Sequence, residues 1–213
     1  MNLAEQLGAR RLMAAATIAA PEHAVPLARA FLAGGLDVME VTFRNAHADD
    51  CIRRIRAEVP AMTVGAGTLL SAAQIAAARA AGAMFGVSPG FNPSVVRSAV
   101  DAGFPFIPGT LTPGEMEQSL ELGCPLVKFF PASAAGGVEF IRALAGPYGH
   151  TGLRLIPLGG IGEANLVTYL ALPLVLAVGG SWLGDRTLTA AGRWPEIAAR
   201  TRRALELARA ARS

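Results

Sequence analysis

Short apolar runs of four to six residues recur along the chain and alternate with alanine-rich stretches that read as amphipathic helices. The runs occupy residues 12–17, 37–42, 63–66, 84–87, 104–107, 126–129, 154–158 and 174–178. They lack the period-two alternation of a half-exposed sheet, as expected for parallel strands covered on both faces. Eight strands alternating with helices in 213 residues predict an α/β fold, a (β/α)8 TIM barrel forming a single domain over residues 1–213. A doubly wound open sheet is the alternative, but no run is followed by the Gly-x-Gly-x-x-Gly fingerprint. No Ser-rich or Pro-rich linker divides the chain.

Helix punctuation supports the alternation. "SAAQ" at 71–74 has the form of a capping box, and "TPGE" at 112–115 has another, with Pro113 at the first helical position. Gly82, Gly103 and Gly123 stand where helices should end before the next strand.

Composition narrows the partners. The net charge is only +3, and much of the excess lies in the last helix at Arg193, Arg200, Arg202, Arg203, Arg209 and Arg212. No aromatics are interleaved with these arginines, so a solvated face or a subunit contact is expected there rather than a nucleic-acid groove. Cys51 and Cys124 have neither metal-ligand spacing nor disulfide density, which predicts reduced thiols in a cytoplasmic protein. "RRLMAAATIAAPEHA" imitates a signal peptide, but its apolar run is too short to span a membrane. The barrel also requires it as the first strand. No 18-residue apolar run occurs elsewhere, so no membrane span is expected.

In a barrel, function collects at the C-terminal ends of the strands. Those ends supply Glu40 and Arg44 ("EVTFRN"), Thr68 ("GAGT"), Pro89 ("SPG"), Lys128 ("VKFF"), and the turns "PLGGI" and "VGGSWL". Lys128 is the only lysine among 19 basic residues. It could be a snorkelling or ion-paired side chain. A composition that replaced every other lysine by arginine has nevertheless kept this one. Arginine can neither deprotonate nor form a Schiff base, so the exchange is forbidden where a neutral amine does chemistry. Burial between Val127 and Phe129 and a nearby cation such as Arg44 would both favour the neutral amine.

Glu40 lies in an apolar run, an expensive place for an unpaired carboxylate. It reads either as a salt-bridge partner of Arg44, four residues on and on the same side of an extended strand, or as a general base. The Gly159–Gly160 and Gly179–Gly180 turns, with Ser181, stand where barrels commonly hold phosphate on backbone N–H groups. A Gly-Gly pair also commonly marks nothing more than a tight turn.

With these motifs in order, the chain resembles the 2-keto-3-deoxy-6-phosphogluconate (KDPG) aldolases, a family that includes the 4-hydroxy-2-oxoglutarate (KHG) aldolases. The likeness runs from "EHAVPLARAFLAGGLDVMEVTFRN" through "VGAGT", "VSPGFN" and "VKFFPA" to "AVGGSWL". It implies a class I lyase needing no metal and no cofactor, a homotrimer, and a small-molecule 2-keto acid phosphate as substrate. The resemblance makes Lys128 the Schiff-base lysine and Glu40 the acid–base carboxylate. It makes Arg44 and Thr68 holders of the pyruvyl carboxylate and Pro89 a wall of that pocket, with Phe130 beside the lysine. Gly159, Gly160, Gly179, Gly180 and Ser181 become the phosphate cradle.

The chain departs from the family at Leu158, which stands where a threonine usually reaches substrate hydroxyls. Galactonate-type relatives are often apolar there, but they lack the Thr-Phe-Arg retained at 42–44. The first strand departs too: "AAAT" replaces bulkier residues and lacks the basic residue some relatives carry. The implied reaction is reversible cleavage of KDPG to pyruvate and glyceraldehyde 3-phosphate. The galactonate epimer and 4-hydroxy-2-oxoglutarate are the nearest alternative substrates. A phosphosugar isomerase or synthase using Glu40 as base, and a non-catalytic phosphate-binding barrel, are readings from other classes.

Overall fold

The computed structural model describes residues 2–211. Nine strands are regular among them: β1 (Leu12–Ala16), β2 (Val38–Thr42), β3 (Thr63–Gly67), β4 (Gly86–Val87), β5 (Phe106–Ile107), β6 (Gly109–Thr110), β7 (Leu126–Phe129), β8 (Arg154–Pro157) and β9 (Val178–Gly180). All pair in parallel, in a six-stranded sheet ordered β5-β4-β3-β2-β1-β9 and a three-stranded sheet ordered β6-β7-β8. The result is an α/β fold whose parallel sheet curls around a common interior.

Strand existence matches the apolar runs, but three of them differ from the observed strands by more than one residue. The fifth strand is divided: β5 and β6 flank Pro108, which has no N–H to give to a ladder. The fourth starts at Gly86, although the N–H of the partly exposed Met84 already donates to the Val64 carbonyl. The eighth differs most. Residues 174–178 touch β8 only around Val175, with Leu155 N–H donating to Leu174 and Leu176 N–H to Leu155. The regular strand begins at Val178, where Leu12 is its partner on β1.

The interior is filled by exchanging large residues for small ones across neighbouring strands. A Cβ on Gly65 would fall 2.4 Å from the Phe85 ring, and one on Gly179 would fall 2.6 Å from Leu158. Phe85 is fully buried on that account, and each such side chain stabilises the fold by roughly 1.5–3 kcal/mol.

The helices are α1 (Leu3–Arg10), α2 (Ala24–Ala33), α3 (Ala48–Glu58), α4 (Ala72–Ala80), α5 (Pro93–Asp101), α6 (Pro113–Glu121), α7 (Gly137–Tyr148), α8 (Leu166–Leu170), α9 (Arg186–Ala190) and α10 (Trp194–Ala210). Thr112 and Glu115 close a full capping box on α6, with Pro113 in the first turn as the sequence indicates. At α4 only half of the expected box forms. Ser71 accepts from the Gln74 N–H, but the Gln74 carboxamide accepts from Leu70 instead of reaching back to Ser71. Gly82, Gly103 and Gly123 have φ of +89°, +60° and +76°, the left-handed values of helix ends.

Three arginines of α10 are spent on the chain itself. Arg200 donates to the Trp182 carbonyl, Arg202 to the Ala33 carbonyl, and Arg203 pairs with Glu163. Arg212 lies outside the described residues. No helix among those described is long and apolar enough to cross a membrane.

Helix α1 has no counterpart among the sequence expectations. It carries its own capping box, Asn2 with Glu5, and it is tied to the start of β2 by a two-point ion pair. Arg10 Nε and NH2 each stand 2.8 Å from an oxygen of Asp37. These bonds hold the Asp37 carboxyl below the usual carboxylate range, outweighing desolvation that pushes the other way. The pair therefore contributes fully above the unfolded value of about 3.9, and its contribution is lost as pH falls through the lower folded value. Asp37→Asn should cost about 1 kcal/mol at pH 7, or roughly 2–4 °C in Tm, in thermal denaturation. The gap between variant and wild type should close as pH falls through the lowered folded value of Asp37.

Candidate functional site

Register alone brings the acid and the amine together. Glu40 sits between Ala15 and Gly65 across β1-β2-β3, while Lys128 sits between Gly109 and Ile156 across β6-β7-β8. Ala15 and Gly65 beside Glu40, and Gly109 on one side of Lys128, leave room for the two long side chains to extend into the interior. There Lys128 Nζ stands 3.6 Å from Glu40 Oε1. Both are buried, Glu40 at 1% and Lys128 at 3% of full exposure. The Phe130 ring lies 5.1 Å from the ammonium position, within range of a cation–π contact.

The second carboxylate oxygen, Glu40 Oε2, is buried and has no hydrogen-bond partner among the described residues. An unsatisfied buried oxygen of this kind costs on the order of 1–3 kcal/mol. Gly67 explains how the carboxylate is seated. A Cβ there would come within 2.9 Å of Oε2, so the carboxylate lies against bare backbone.

Arg44 does not pair with Glu40. The strand ends at Thr42, and Arg44 N–H turns back onto the Thr42 carbonyl at 2.9 Å, so the same-side geometry of an extended strand no longer holds. Its Nε instead donates to Thr68 Oγ1 at 3.2 Å. Thr68 adopts φ +60°, which a β-branched residue rarely does. The nearest charged group to Lys128 is thus Glu40, not the cation Arg44 that the sequence suggested.

A cavity of about 170 Å³ opens over this pair. Its lining holds Glu40, Arg44, Lys128, Phe130, Leu158, Gly159, Gly180 and Ser181, all of them sequence candidates, together with Ala15, Thr17 and Thr42. The Thr17 and Thr42 hydroxyls share a hydrogen bond at 2.7 Å. Sequence reasoning passed over these three residues, although reading Glu40 to Thr42 and Ala15 to Thr17 with period two puts each pair on one strand face.

Four candidates stand outside the lining. Thr68 reaches it through Arg44. Pro89 is packed against Gly109 backbone, one register step from Lys128. Gly179 lies under Leu158, and Gly160 lies against Ser133.

The turn after β8 is held by its carbonyls. Those of Leu158, Gly159 and Gly160 accept from Ala132 N–H, Ser133 N–H and Ser133 Oγ respectively, and Asn165 also donates to Gly160. Gly159 and Gly160 have φ of +96° and +73°, left-handed values that glycine adopts without strain. Their N–H groups donate to no acceptor among the described residues. Leu158 is buried and offers the cavity no polar atom.

A second cavity, of about 510 Å³, adjoins the first and shares Thr17, Arg44 and Ser181 with it. It adds Asn45, Trp182, Gly184, Asp185 and Arg186, none of which the sequence reading singled out. Among the described residues no three His, Cys, Asp or Glu side chains converge in a way that could hold a metal ion.

The KDPG and KHG aldolase family model matches residues 3–200. The 2-dehydro-3-deoxy-phosphogluconate aldolase of Treponema pallidum is 44% identical over 97% of this chain and 98% of its own. The KHG/KDPG aldolase of Escherichia coli K12 is 45% identical over 87% and 86%. The crystal structure of KDPG aldolase from Legionella pneumophila, with pyruvate captured as a covalent carbinolamine, superposes with a TM-score of 0.91. It is 33% identical, covering 95% of this chain and 97% of that one. The chain belongs to the KDPG and KHG aldolase family.

Proposed function

We propose that this protein is a class I aldolase that reversibly cleaves 2-keto-3-deoxy-6-phosphogluconate to pyruvate and glyceraldehyde 3-phosphate. The observation that carries the reading is the buried 3.6 Å contact between Lys128 and Glu40 at the floor of a cavity. The scaffold is read as one (β/α)8 domain over the whole chain. Its support is chain continuity through Pro108 and the hydrogen bonds of residues 174–176 to β8, which link the two sheets.

The neutral Lys128 amine attacks the C2 ketone. The resulting carbinolamine loses water to give a protonated imine, an electron sink at C2. Glu40 takes the C4 hydroxyl proton, and the C4–O electrons form the aldehyde carbonyl. The C3–C4 bond breaks, its electrons forming the enamine and neutralising the imine nitrogen. Glyceraldehyde 3-phosphate leaves, Glu40 returns the proton it took to C3 of the enamine, and water hydrolyses the imine to release pyruvate and regenerate the amine. The unpartnered Glu40 Oε2 supports the base role, because a hydroxyl in the cavity would satisfy it.

Arg44, backed by Thr68, takes the C1 carboxylate; Phe130 and Pro89 bound the pyruvyl end. The Gly159–Gly160 and Gly179–Gly180 turns with Ser181 take the phosphate, so remote binding energy orients the scissile bond. No cofactor or metal enters any step.

A homotrimer in the cytoplasm accompanies this reading. Supporting the second part, Cys51 and Cys124 are free and buried, and burial pushes the Cys51 thiol up to about 11, which leaves it inert. Leu158 favours a second reading of the substrate: a buried apolar wall where a hydroxyl partner would sit leaves room for the galactonate epimer or 4-hydroxy-2-oxoglutarate.

Pyruvate with borohydride should add one reduced pyruvyl group, found by peptide mass spectrometry on Lys128. No adduct, or full activity in Lys128→Arg, would overturn the lyase reading in favour of an isomerase or a binding protein. Gly67→Ala should crowd the Glu40 carboxylate and lower kcat by roughly tenfold or more while the fold is kept, measured by coupled assay beside a thermal melt. Leu158→Thr should raise the gluconate-over-galactonate ratio of kcat/KM by roughly tenfold, through one added hydroxyl bond.

A further inference from the structure

We infer that Arg186 is a specificity-determining residue that grips the distal phosphate of the substrate from the far side of the outer cavity. The inference rests on the aldolase reading and adds a contact to it. The outer cavity is continuous with the one over Lys128, since Thr17, Arg44 and Ser181 line both. A substrate joined to Lys128 through C2 therefore extends its C6 end past Ser181 toward Arg186. Arg186 also borders a neighbouring hollow beside His23, which places it on the wall between the two.

Charge accounting singles it out. The substrate presents an anion at each end, and the inner cavity contributes one guanidinium, that of Arg44, already directed by Thr68. The end of β1, "TIAA" at 17–20, contributes no charge. Arg186 is exposed, and its guanidinium makes no hydrogen bond or ion pair with any described residue. Its fork is free to give a phosphate two parallel N–H bonds, which a lysine or a hydroxyl cannot. The acid next to it, Asp185, is turned to the backbone: its Oδ1 accepts from the N–H groups of Thr187 and Leu188 at 2.9 and 3.2 Å. That engagement leaves the cavity wall net favourable to an anion. Ser181, which lines both cavities, would meet the phosphate from one side, and Arg186 would close the other.

The experiment measures kcat and KM for 2-keto-3-deoxy-6-phosphogluconate and for its dephosphorylated counterpart in wild type, Arg186→Gln and Arg186→Lys. Arg186→Gln should raise KM for the phosphorylated substrate roughly tenfold more than for the dephosphorylated one, with kcat changed far less. Arg186→Lys should recover part of that selectivity. Inorganic phosphate should inhibit Arg186→Gln about tenfold less effectively than wild type. Equal losses on both substrates, or unchanged selectivity and phosphate inhibition, would overturn the inference. Pyruvate trapping on Lys128 in wild type separates the two questions: its absence sinks the aldolase reading, whereas its presence with unchanged selectivity sinks only the role of Arg186.

Discussion

A carboxylate and an amine buried 3.6 Å apart constrain everything around them, because neither group is tolerated in an apolar interior alone. Their mutual attraction offsets part of the cost of taking both from water, but one carboxylate oxygen remains without a donor. A fold selected only for stability would replace such a pair by packed apolar side chains, and often gain by it. Keeping it makes sense if the open oxygen and the amine are both meant for a substrate that completes the site.

The surrounding architecture serves that pair. Gly67 gives the carboxylate a flat seat, and Gly109 and Ala15 keep the neighbouring strands from filling the space. Elsewhere the same exchange of large for small fills the interior, with Phe85 over Gly65 and Leu158 over Gly179. The cavity is therefore the part of the interior where small residues were left uncompensated by large ones. Its chemistry follows from which two strands carry long polar side chains into that space.

Much of this was legible from residues alone. Lys128 stood out because an arginine-biased chain kept one lysine, and Glu40 because carboxylates avoid apolar runs. Helix ends at Gly82, Gly103 and Gly123 could be read because left-handed backbone asks for glycine. The errors have equally local causes. The run 174–178 has no internal punctuation, so the onset of pairing at Val178 was decided by its partner Leu12, which sequence periodicity cannot see. The alternative pairing of Glu40 with Arg44 assumed extended backbone beyond Thr42, where the chain turns instead. Arg186 and Asp185 belong to no motif; they meet Arg44 and Asn45 only because β1 lies between β2 and β9.

The central claim is that Lys128 makes the imine and Glu40 moves the protons, and exchange of the pyruvate methyl hydrogens in deuterated water separates those two jobs. Followed by proton NMR, wild type should exchange them, since enamine formation and reprotonation at C3 need no aldehyde. Lys128→Arg should abolish exchange. Glu40→Gln should slow it by roughly a hundredfold or more, the contribution expected of a positioned acid–base group. Exchange at the wild-type rate in Glu40→Gln would contradict the account, because another group would then be handling the protons beside Lys128.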